Sequence, residues 1–228
     1  PLVNVAPGLE EKVITASTVF DDTPTTFKGR YSPKNAGGYQ GLCTVRKAIE
    51  VSSNIVNIKI AYNVGINKAI EYLHEFGLTT YTEEDDAVMS LAIGGAHHGS
   101  STLQMAAAYA TLANKGVYIE PTFYTKVEDR NGNVVLEPEQ ERKQVMTEQN
   151  AYVLQSILTA PVTESYGTAT YCAISGMDVA AKTGTTNESK DRWLCGFTPY
   201  YTAATWYGYD ENKEINFSGR NPAGQIWD

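Results

Sequence analysis

The spacing of apolar residues changes along the chain, from a helical period in the first two thirds to a strand-like alternation in the last third. The helical period predicts a series of short helices separated by polar or glycine-containing turns. These helices are predicted over Val45 to about Val51, about Asn54 to Tyr62, Lys68 to Phe76, the segment after Thr102 with Leu103, Ala106, Ala107 and Ala110 on one face, and Thr147 to about Leu158.

Small polar residues stand where these helices begin, and each can accept a hydrogen bond from the free N–H groups of a first turn. The predicted N-caps are Thr44, Asn67, Thr102 and Thr147. Gly77 and Gly116 follow two of the predicted helix ends, where glycine commonly terminates a helix. Ser52 and Ser53 interrupt the pattern between the first two helices.

The remaining segments predict strands and loops. Residues 21–41 are rich in Asp, Thr, Pro, Gly and Asn and are predicted to form an extended loop. A hairpin from Tyr118 to Leu136 is predicted to turn at Asn131-Gly132. Strands are predicted over Val179–Thr185, Trp193–Phe197 and Ala203–Tyr209, with a turn at Thr198-Pro199. Helices followed by an antiparallel sheet give an α+β fold class.

Composition narrows the function. The chain has 228 residues, of which 42% are hydrophobic, which suits one domain with a sizeable core. Its net charge is −8 and no basic patch stands out, so a nucleic-acid partner is not expected. The three cysteines, Cys43, Cys172 and Cys195, lack C-x-x-C spacing and are interpreted as small buried hydrophobic residues. No signal peptide or membrane-length apolar run is present.

Neither a metal nor another cofactor is expected. Residues 83–86, a run of four acidic side chains, are interpreted as a solvated turn. His97 and His98 lie in a glycine-rich loop, and His74 lies in a predicted helix without other candidate ligands.

Two short motifs carry the candidate chemistry. An apolar strand leads into Lys182-Thr183-Gly184-Thr185, and Ser52-Ser53-Asn54 lies upstream. Each motif alone is also typical of ordinary structure, a strand end in one case and a helix cap in the other. In this order they resemble two of the three parts of a serine acylation site, whose third part, Ser-x-x-Lys, supplies the nucleophile. No serine of this chain has a lysine three residues later.

Each motif residue has a predicted role. Lys182 would supply positive charge, while Ser52 would relay a proton and Asn54 would orient a lysine and a substrate amide. Lys182 and Ser52 are expected to face one another across a groove, with their polar atoms about 3 Å apart. Thr183 and Thr185 would offer hydroxyls along one strand edge, and the N–H of Thr185 would be an oxyanion donor. Gly184 would let a ligand backbone lie against the strand.

Nearly the whole chain resembles the transpeptidase domain of class A penicillin-binding proteins. Further elements carry this resemblance: Asp21-Asp22-Thr23-Pro24-Thr25-Thr26-Phe27, Tyr31 to Asn35, Thr44 to Asn54, Leu91 to Gly95, Met105 to Tyr109, Ala113 to Tyr118, Gly167-Thr168-Ala169, Asp191 to Pro199 and Trp206 to Asp210. The resemblance implies the serine β-lactamase and penicillin-binding-protein fold, an antiparallel sheet with flanking helices. Ser53 stands where class A β-lactamases have Asp, and Ala181 where the family often has Gly.

The resemblance implies a D,D-transpeptidase that cross-links peptidoglycan stem peptides ending in D-Ala-D-Ala through a serine acyl-enzyme. β-Lactam antibiotics would acylate the same serine. Ser52, Asn54 and Lys182 would then be catalytic residues, and Thr183, Gly184 and Thr185 would bind substrate. Fast β-lactam hydrolysis is not expected, because the only Glu-x-x-x-Asn run is Glu50 to Asn54, which overlaps the serine motif.

The resemblance also bears on the chain ends. In the family, Pro-Leu commonly follows the Ser-x-x-Lys lysine, so Pro1-Leu2 resembles the pair just past that motif. Residues 1–228 are therefore expected to be most of one domain, with the nucleophile segment upstream and a packing helix downstream. A glycosyltransferase domain and an N-terminal membrane anchor would precede them. The domain of residues 1–228 would then lie on the outer face of the bacterial cytoplasmic membrane.

Two alternatives remain open. A non-catalytic β-lactam sensor or stem-peptide binder on the same fold would need no Ser-x-x-Lys anywhere in the protein. A structural module that docks other cell-wall proteins would have no need of the full set of Ser52, Asn54, Lys182 and Thr185.

Overall fold

The structure is a computed structural model that describes residues 1–29, 31–186, 189–211 and 213–227. Its helices are α1 Val5–Glu10, α2 Val45–Glu50, α3 Asn54–Val64, α4 Ile66–Glu75, α5 Glu83–Asp86, α6 Thr102–Ala113, α7 Glu148–Thr163 and α8 Pro222–Gln225. Short 3₁₀ helices cover Met89–Ile93 and Thr170–Cys172. Its strands are β1 Val19–Asp22, β2 Gly41–Thr44, β3 Val117–Ile119, β4 Val127–Glu128, β5 Val134–Leu136, β6 Arg142–Gln144, β7 Ala180–Thr185, β8 Asp191–Phe197 and β9 Thr202–Gly208.

The principal sheet is antiparallel and has the order β7-β8-β9. Lys182 lies opposite Cys195, and Thr185 lies opposite Arg192. Among the described strands β7 pairs with β8 alone, so it is an edge strand. The predicted α+β class and the three predicted strands of this sheet are confirmed, with ends that differ by one or two residues.

Helices cover this sheet because both of its faces are apolar. The larger core cluster joins residues of α1, α2, α6 and α7 to one face through Ala180, Cys195 and Phe197. A smaller cluster packs Val179, Ala181 and Leu194 of the other face against the end of α7 and against α8. The edge strand β7 is therefore held between two packed layers. In the described part of the chain, no helix is long and apolar enough to cross a membrane.

Two predicted helix caps are wrong. The hydroxyl of Ser101, not Thr102, caps α6, and Ser101 forms a reciprocal capping box with Gln104. Helix α4 begins after Gly65 without a side-chain cap, while the side-chain amide of Asn67 donates to Glu83 Oε2 at 2.9 Å.

The predicted hairpin from Tyr118 to Leu136 is only partly confirmed. Strands β4 and β5 form its tip around Asn131-Gly132. Strand β3, which contains Tyr118, pairs instead with β6. The loop predicted over residues 21–41 is framed by a small antiparallel sheet of β1 and β2.

The prediction that residues 83–86 form a solvated turn is wrong in part, because Asp86 is fully buried. Its carboxylate accepts hydrogen bonds from the backbone N–H of Thr82, at 3.0 Å, and of His97, at 2.8 Å. Asp86 thus joins two loops that are separated in sequence.

Candidate active site

Lys182 and Ser52 lie in contact at the exposed edge of the principal sheet. Nζ of Lys182 donates to Oγ of Ser52 at 2.8 Å and to the backbone carbonyl of Thr183 at 3.0 Å. The residues are 130 positions apart in the chain, so the fold alone brings them together. The predicted proximity of these two side chains is confirmed.

The backbone at Ser52 explains how its hydroxyl reaches Lys182. The N–H of Ser52 bonds to the carbonyl of Ile49 at 3.2 Å, and the N–H of Ser53 to that of Ala48 at 2.8 Å. These two bonds form a Schellman motif at the end of α2, with Ser52 at the left-handed position that glycine usually occupies. Its φ of 57° is strained for a residue with a side chain.

Burial tunes the charge of Lys182. Only 8% of its surface is exposed, and this burial lowers the pKa of Lys182 from about 10.5 to about 8. The side chain therefore stays mainly protonated at neutral pH, yet its proton is much easier to remove than that of a solvated lysine. A lysine of this kind can supply positive charge and can exchange a proton with the bonded Ser52 hydroxyl.

Pro1 lies in the same region of the fold. Its nitrogen is buried, and the charge of Lys182 acts on it. The Pro1 carbonyl accepts a hydrogen bond from the backbone N–H of Ala6 at 2.9 Å, which ties this residue to α1.

Asn54 lies at the first turn of α3 and contacts the loop of residues 31–40. Its side-chain amide donates to the carbonyl of Lys34 at 2.7 Å. Asn35 in turn accepts from the backbone N–H groups of Asn54, at 2.8 Å, and Ile55, at 3.2 Å. The structure therefore ties Asn54 to this loop and shows no contact between its side chain and Lys182.

Ser53, which separates the two motif residues Ser52 and Asn54, has a structural role. Its Oγ caps α3 by accepting from Val56 N–H at 3.1 Å, and it donates to Oδ1 of Asp22 at 2.7 Å. Asp22 is fully buried and also accepts from the Asn35 side chain and from the backbone N–H of Gln40. The loop, α2 and α3 are thus joined at one carboxylate.

Thr183 contacts a residue that the site prediction did not include. Its hydroxyl donates to Oγ1 of Thr168 at 3.1 Å. Thr168 is held by a backbone bond to the carbonyl of Glu50 at 3.3 Å. Gly167 beside it has no room for a side chain, because a Cβ would lie 2.2 Å from the carbonyl oxygen of Pro161. The Gly167-Thr168-Ala169 element was the sequence signal that could have identified Thr168.

Thr185 ends β7 and is exposed. Its Oγ1 accepts a hydrogen bond from Nη1 of Arg192 at 2.7 Å. Gly184, one residue earlier, faces Trp193 across the strand pair, and a Cβ on Gly184 would lie 3.0 Å from the Trp193 Cβ. Packing alone is therefore a sufficient reason for glycine at this position.

Glu50 lies close to Ser52 in sequence, but its carboxylate is engaged. It is 6% exposed and forms an ion pair with Lys47 at 2.5 Å. The Lys47 ammonium also lies 5.1 Å from the ring centre of Tyr166, which precedes Gly167. Glu50 thus joins an ion pair at the rim of the site.

Within the described ranges, no group of three or more His, Cys, Asp or Glu side chains is arranged to hold a metal ion. The rings of His97 and His98 contact each other edge to face, with centroids 4.5 Å apart.

Comparison with known proteins assigns the family. A family model described as the penicillin-binding protein transpeptidase domain matches residues 2–226. The chain belongs to this family. Penicillin-binding protein 1A of Clostridium botulinum (strain Hall) is 36% identical to it over 236 residues, which cover 100% of this chain and 28% of that protein. The chain therefore spans less than a third of this penicillin-binding relative.

Solved penicillin-binding structures share the fold. Penicillin-binding protein 1A from Haemophilus influenzae matches with a TM-score of 0.80 and 25% identity, over 98% of this chain and 40% of that chain. The D,D-transpeptidase domain of a peptidoglycan glycosyltransferase from Eggerthella lenta matches with a TM-score of 0.78 and 26% identity, over 93% of this chain and 59% of that chain. The fold predicted from the family resemblance is confirmed.

Proposed function

We propose that this chain is most of a domain that cross-links peptidoglycan as a serine D,D-transpeptidase. The observation that carries the proposal is the 2.8 Å hydrogen bond between Lys182, on an edge strand, and Ser52. Family membership supports the same assignment. Stem peptides ending in D-Ala-D-Ala are the proposed substrates, and β-lactams, which mimic that dipeptide, are the proposed inhibitors.

The nucleophile in this proposal is a serine of a Ser-x-x-Lys segment that precedes Pro1. A residue joined to the buried Pro1 nitrogen would enter the fold in the region of Lys182, whose charge acts on that nitrogen. A short segment entering the fold at this point would therefore deliver its side chains to Lys182 and Ser52. This upstream segment is a partner that the site needs.

Acylation then follows from the positions of Lys182 and Ser52. The nucleophile's Oγ attacks the carbonyl between the two D-Ala residues, and its proton passes to the lysine of the same Ser-x-x-Lys segment. The C–N bond breaks, and the leaving amine of D-Ala takes that proton through the Ser52 hydroxyl, which Lys182 orients. In the second step, an amine of a neighbouring strand attacks the ester carbonyl and forms a new amide bond. The bond to the serine Oγ breaks, and the proton lost by the attacking amine passes to that oxygen.

Substrate binding is assigned to the outer part of β7. The hydroxyls of Thr183 and Thr185, two residues apart on a strand, share one face and would hold the terminal carboxylate of the substrate. Thr183 would do so by turning its one hydrogen from Thr168 to the ligand. The backbone N–H of Thr185 would stabilise the oxyanion, and Gly184 would leave space for the peptide. Asn54 would orient the substrate amide from the other wall of the cleft.

The proposed reaction places this domain outside the cytoplasmic membrane, where peptidoglycan is cross-linked. Attachment to the membrane would come from a segment upstream of residue 1. No cofactor is proposed, because general acid–base and nucleophilic steps suffice for acyl transfer.

Labelling with a fluorescent penicillin tests the proposal. The full-length protein that contains this chain is expected to label at a serine upstream of Pro1, as located by peptide mass mapping. The chain of residues 1–228 alone is expected not to label. Stable labelling of the isolated chain would show that the nucleophile lies within it.

A second measurement separates the enzyme from a sensor. Incubation of the full-length protein with a stem-peptide donor and an amine acceptor is expected to yield a cross-linked product with release of D-Ala. Acylation by penicillin without any cross-linked product or released D-Ala would instead indicate a binding protein.

A further inference from the structure

Arg192 places a second positive charge at the outer end of the candidate site. It lies on β8 directly opposite Thr185, and its Nη1 donates to the Thr185 hydroxyl oxygen at 2.7 Å. Arg192 was not among the predicted site residues. Lys182 and Arg192 therefore bracket the two threonine hydroxyls of β7, with one cation at the buried end and the other at the exposed end.

The guanidinium of Arg192 is held in place by its surroundings. Its Nη2 donates to Oγ of Ser189 at 2.9 Å, and its Cζ lies 4.8 Å from the ring centre of Phe217. Its Nε is buried and has no hydrogen-bond partner in the structure. In the described part of the chain no carboxylate forms an ion pair with Arg192. Among the described residues, its charge is therefore held in position without an acidic partner.

The bond to Arg192 also fixes how the Thr185 hydroxyl can be used. A hydroxyl carries one hydrogen and two acceptor lone pairs. Because the Thr185 oxygen accepts from Arg192, its own hydrogen is free to be donated to an incoming acceptor. A carboxylate oxygen bound there at about 2.7 Å would lie within about 5 Å of the guanidinium, close enough for the positive charge to favour the ionised ligand.

We propose that Arg192 is a positioning residue that makes the site select ligands with a free carboxylate, by holding Thr185 as a donor and adding positive charge behind it. This inference rests on the proposed function, which brings a substrate carboxylate to Thr183 and Thr185.

Two probes that differ only in the carboxylate test the inference. The acylation rate constant kcat/KM of the full-length protein is measured with benzylpenicillin and with its uncharged methyl ester. The wild type is expected to react faster with the acid. Arg192→Gln is expected to reduce the ratio of the two rate constants by about 10-fold, because a charge-assisted contact is lost with one probe only.

Arg130→Gln provides a matched control. Arg130 is exposed at the turn between β4 and β5, and its replacement causes the same change in net charge. This variant is expected to keep the wild-type ratio. If Arg192→Gln does not fold, Arg192→Lys tests the same point, because lysine keeps the charge but cannot donate to Thr185 and Ser189 together. A fall of about threefold in the ratio is then expected.

The outcomes separate the two proposals. An unchanged ratio in Arg192→Gln would overturn this inference alone. If the ratio is unchanged because both rate constants fall equally, the role of Arg192 is purely structural. A wild type that neither probe acylates would overturn the proposed function and this inference with it.

Discussion

Ser53 donates its hydroxyl hydrogen to the buried carboxylate of Asp22 at 2.7 Å, and this one contact joins the β1–β2 region to the start of α3. Asp22 also accepts from the side-chain NH₂ of Asn35, and the side-chain oxygen of Asn35 accepts from the first backbone N–H of α3. The turn that presents Ser52 is therefore supported by a carboxylate 30 residues earlier in the chain, and changes at Asp22 are expected to reach the site indirectly.

Asp22→Asn is expected to destabilise the fold by about 3 kcal/mol. The substitution replaces a buried acceptor oxygen with an amide NH₂, which opposes the donors of Ser53 and Asn35. Urea unfolding measures the change. Asp21→Asn is the matched control, because Asp21 is exposed. Among the described residues, its carboxylate accepts a side-chain hydrogen bond only from the Thr23 hydroxyl. Equal effects of the two substitutions would contradict the structural role of Asp22.

Ser52→Gly is expected to give a protein about 1 kcal/mol more stable than Ser52→Ala. Both variants lose the hydroxyl, but only glycine adopts a φ of 57° without steric cost. Thermal unfolding of the two variants measures this difference. Neither variant is expected to support normal acylation of the full-length protein, because the contact with Lys182 is gone. A glycine variant less stable than the alanine variant would contradict the left-handed conformation of Ser52.

Lys182 is expected to make the free energy of unfolding depend on pH in the alkaline range. Below pH 8 the lysine is protonated in both the folded and unfolded states, so its burial lowers the free energy of unfolding by a constant amount. Between pH 8 and 10.5 only the unfolded state keeps the proton, so the contribution of Lys182 to the free energy of unfolding rises with pH. The total rise is about 3 kcal/mol, because the pKa falls from 10.5 in the unfolded chain to about 8 in the folded protein.

The comparison with Lys182→Met isolates this contribution, since all other titrating groups are shared. Urea unfolding at pH 7.5 and pH 10 measures the free energy of unfolding of both proteins. The value for the wild type minus the value for the variant is expected to be larger at pH 10 than at pH 7.5. A difference that stays constant over this range would show that the pKa of Lys182 is not lowered.

Thr168→Val is expected to slow acylation of the full-length protein about fivefold. The substitution keeps the shape of the side chain but removes the partner of the Thr183 hydroxyl, which costs about 1 kcal/mol of positioning. Thr168→Ser is expected to restore most of the rate. Thr163→Val on the exposed end of α7 is the control, because the Thr163 hydroxyl bonds only to its own helix. Slowing of equal size in the control would rule out a specific role for Thr168.

Strand β7 was predicted closely because two signals coincide there. An apolar lead-in through Val179 to Ala181 predicts a buried strand, and the lysine motif that follows marks its exposed end. The contact between Lys182 and Ser52 follows from the identities of the two motifs, which the family resemblance assigns to one site. The catalytic roles of Ser52, Asn54 and Lys182 remain predictions that the acylation experiments address.

Other features could not be read from spacing. Either Ser101 or Thr102 can cap α6 by residue type, and only the reciprocal contact with Gln104 decides between them. Helix α7 runs to Thr163, beyond the predicted end at Leu158, because Pro161 is accommodated within its last turn. Arg192 and Thr168 reach the site through pairings between distant segments, which a local pattern does not encode.

The position of β7 at the edge of its sheet has a consequence for the tolerance of the site to substitution. An extended ligand that lies along this edge can pair with main-chain N–H and C=O groups, which are the same whatever side chains the strand carries. Replacing a side chain of β7 by another non-proline residue can then weaken binding through the loss of a hydroxyl or a charge, but it leaves this backbone pairing in place. Loss of the pairing itself is expected to need a proline or a change in the path of the strand, for example at Gly184, where a Cβ would lie 3.0 Å from the Trp193 Cβ.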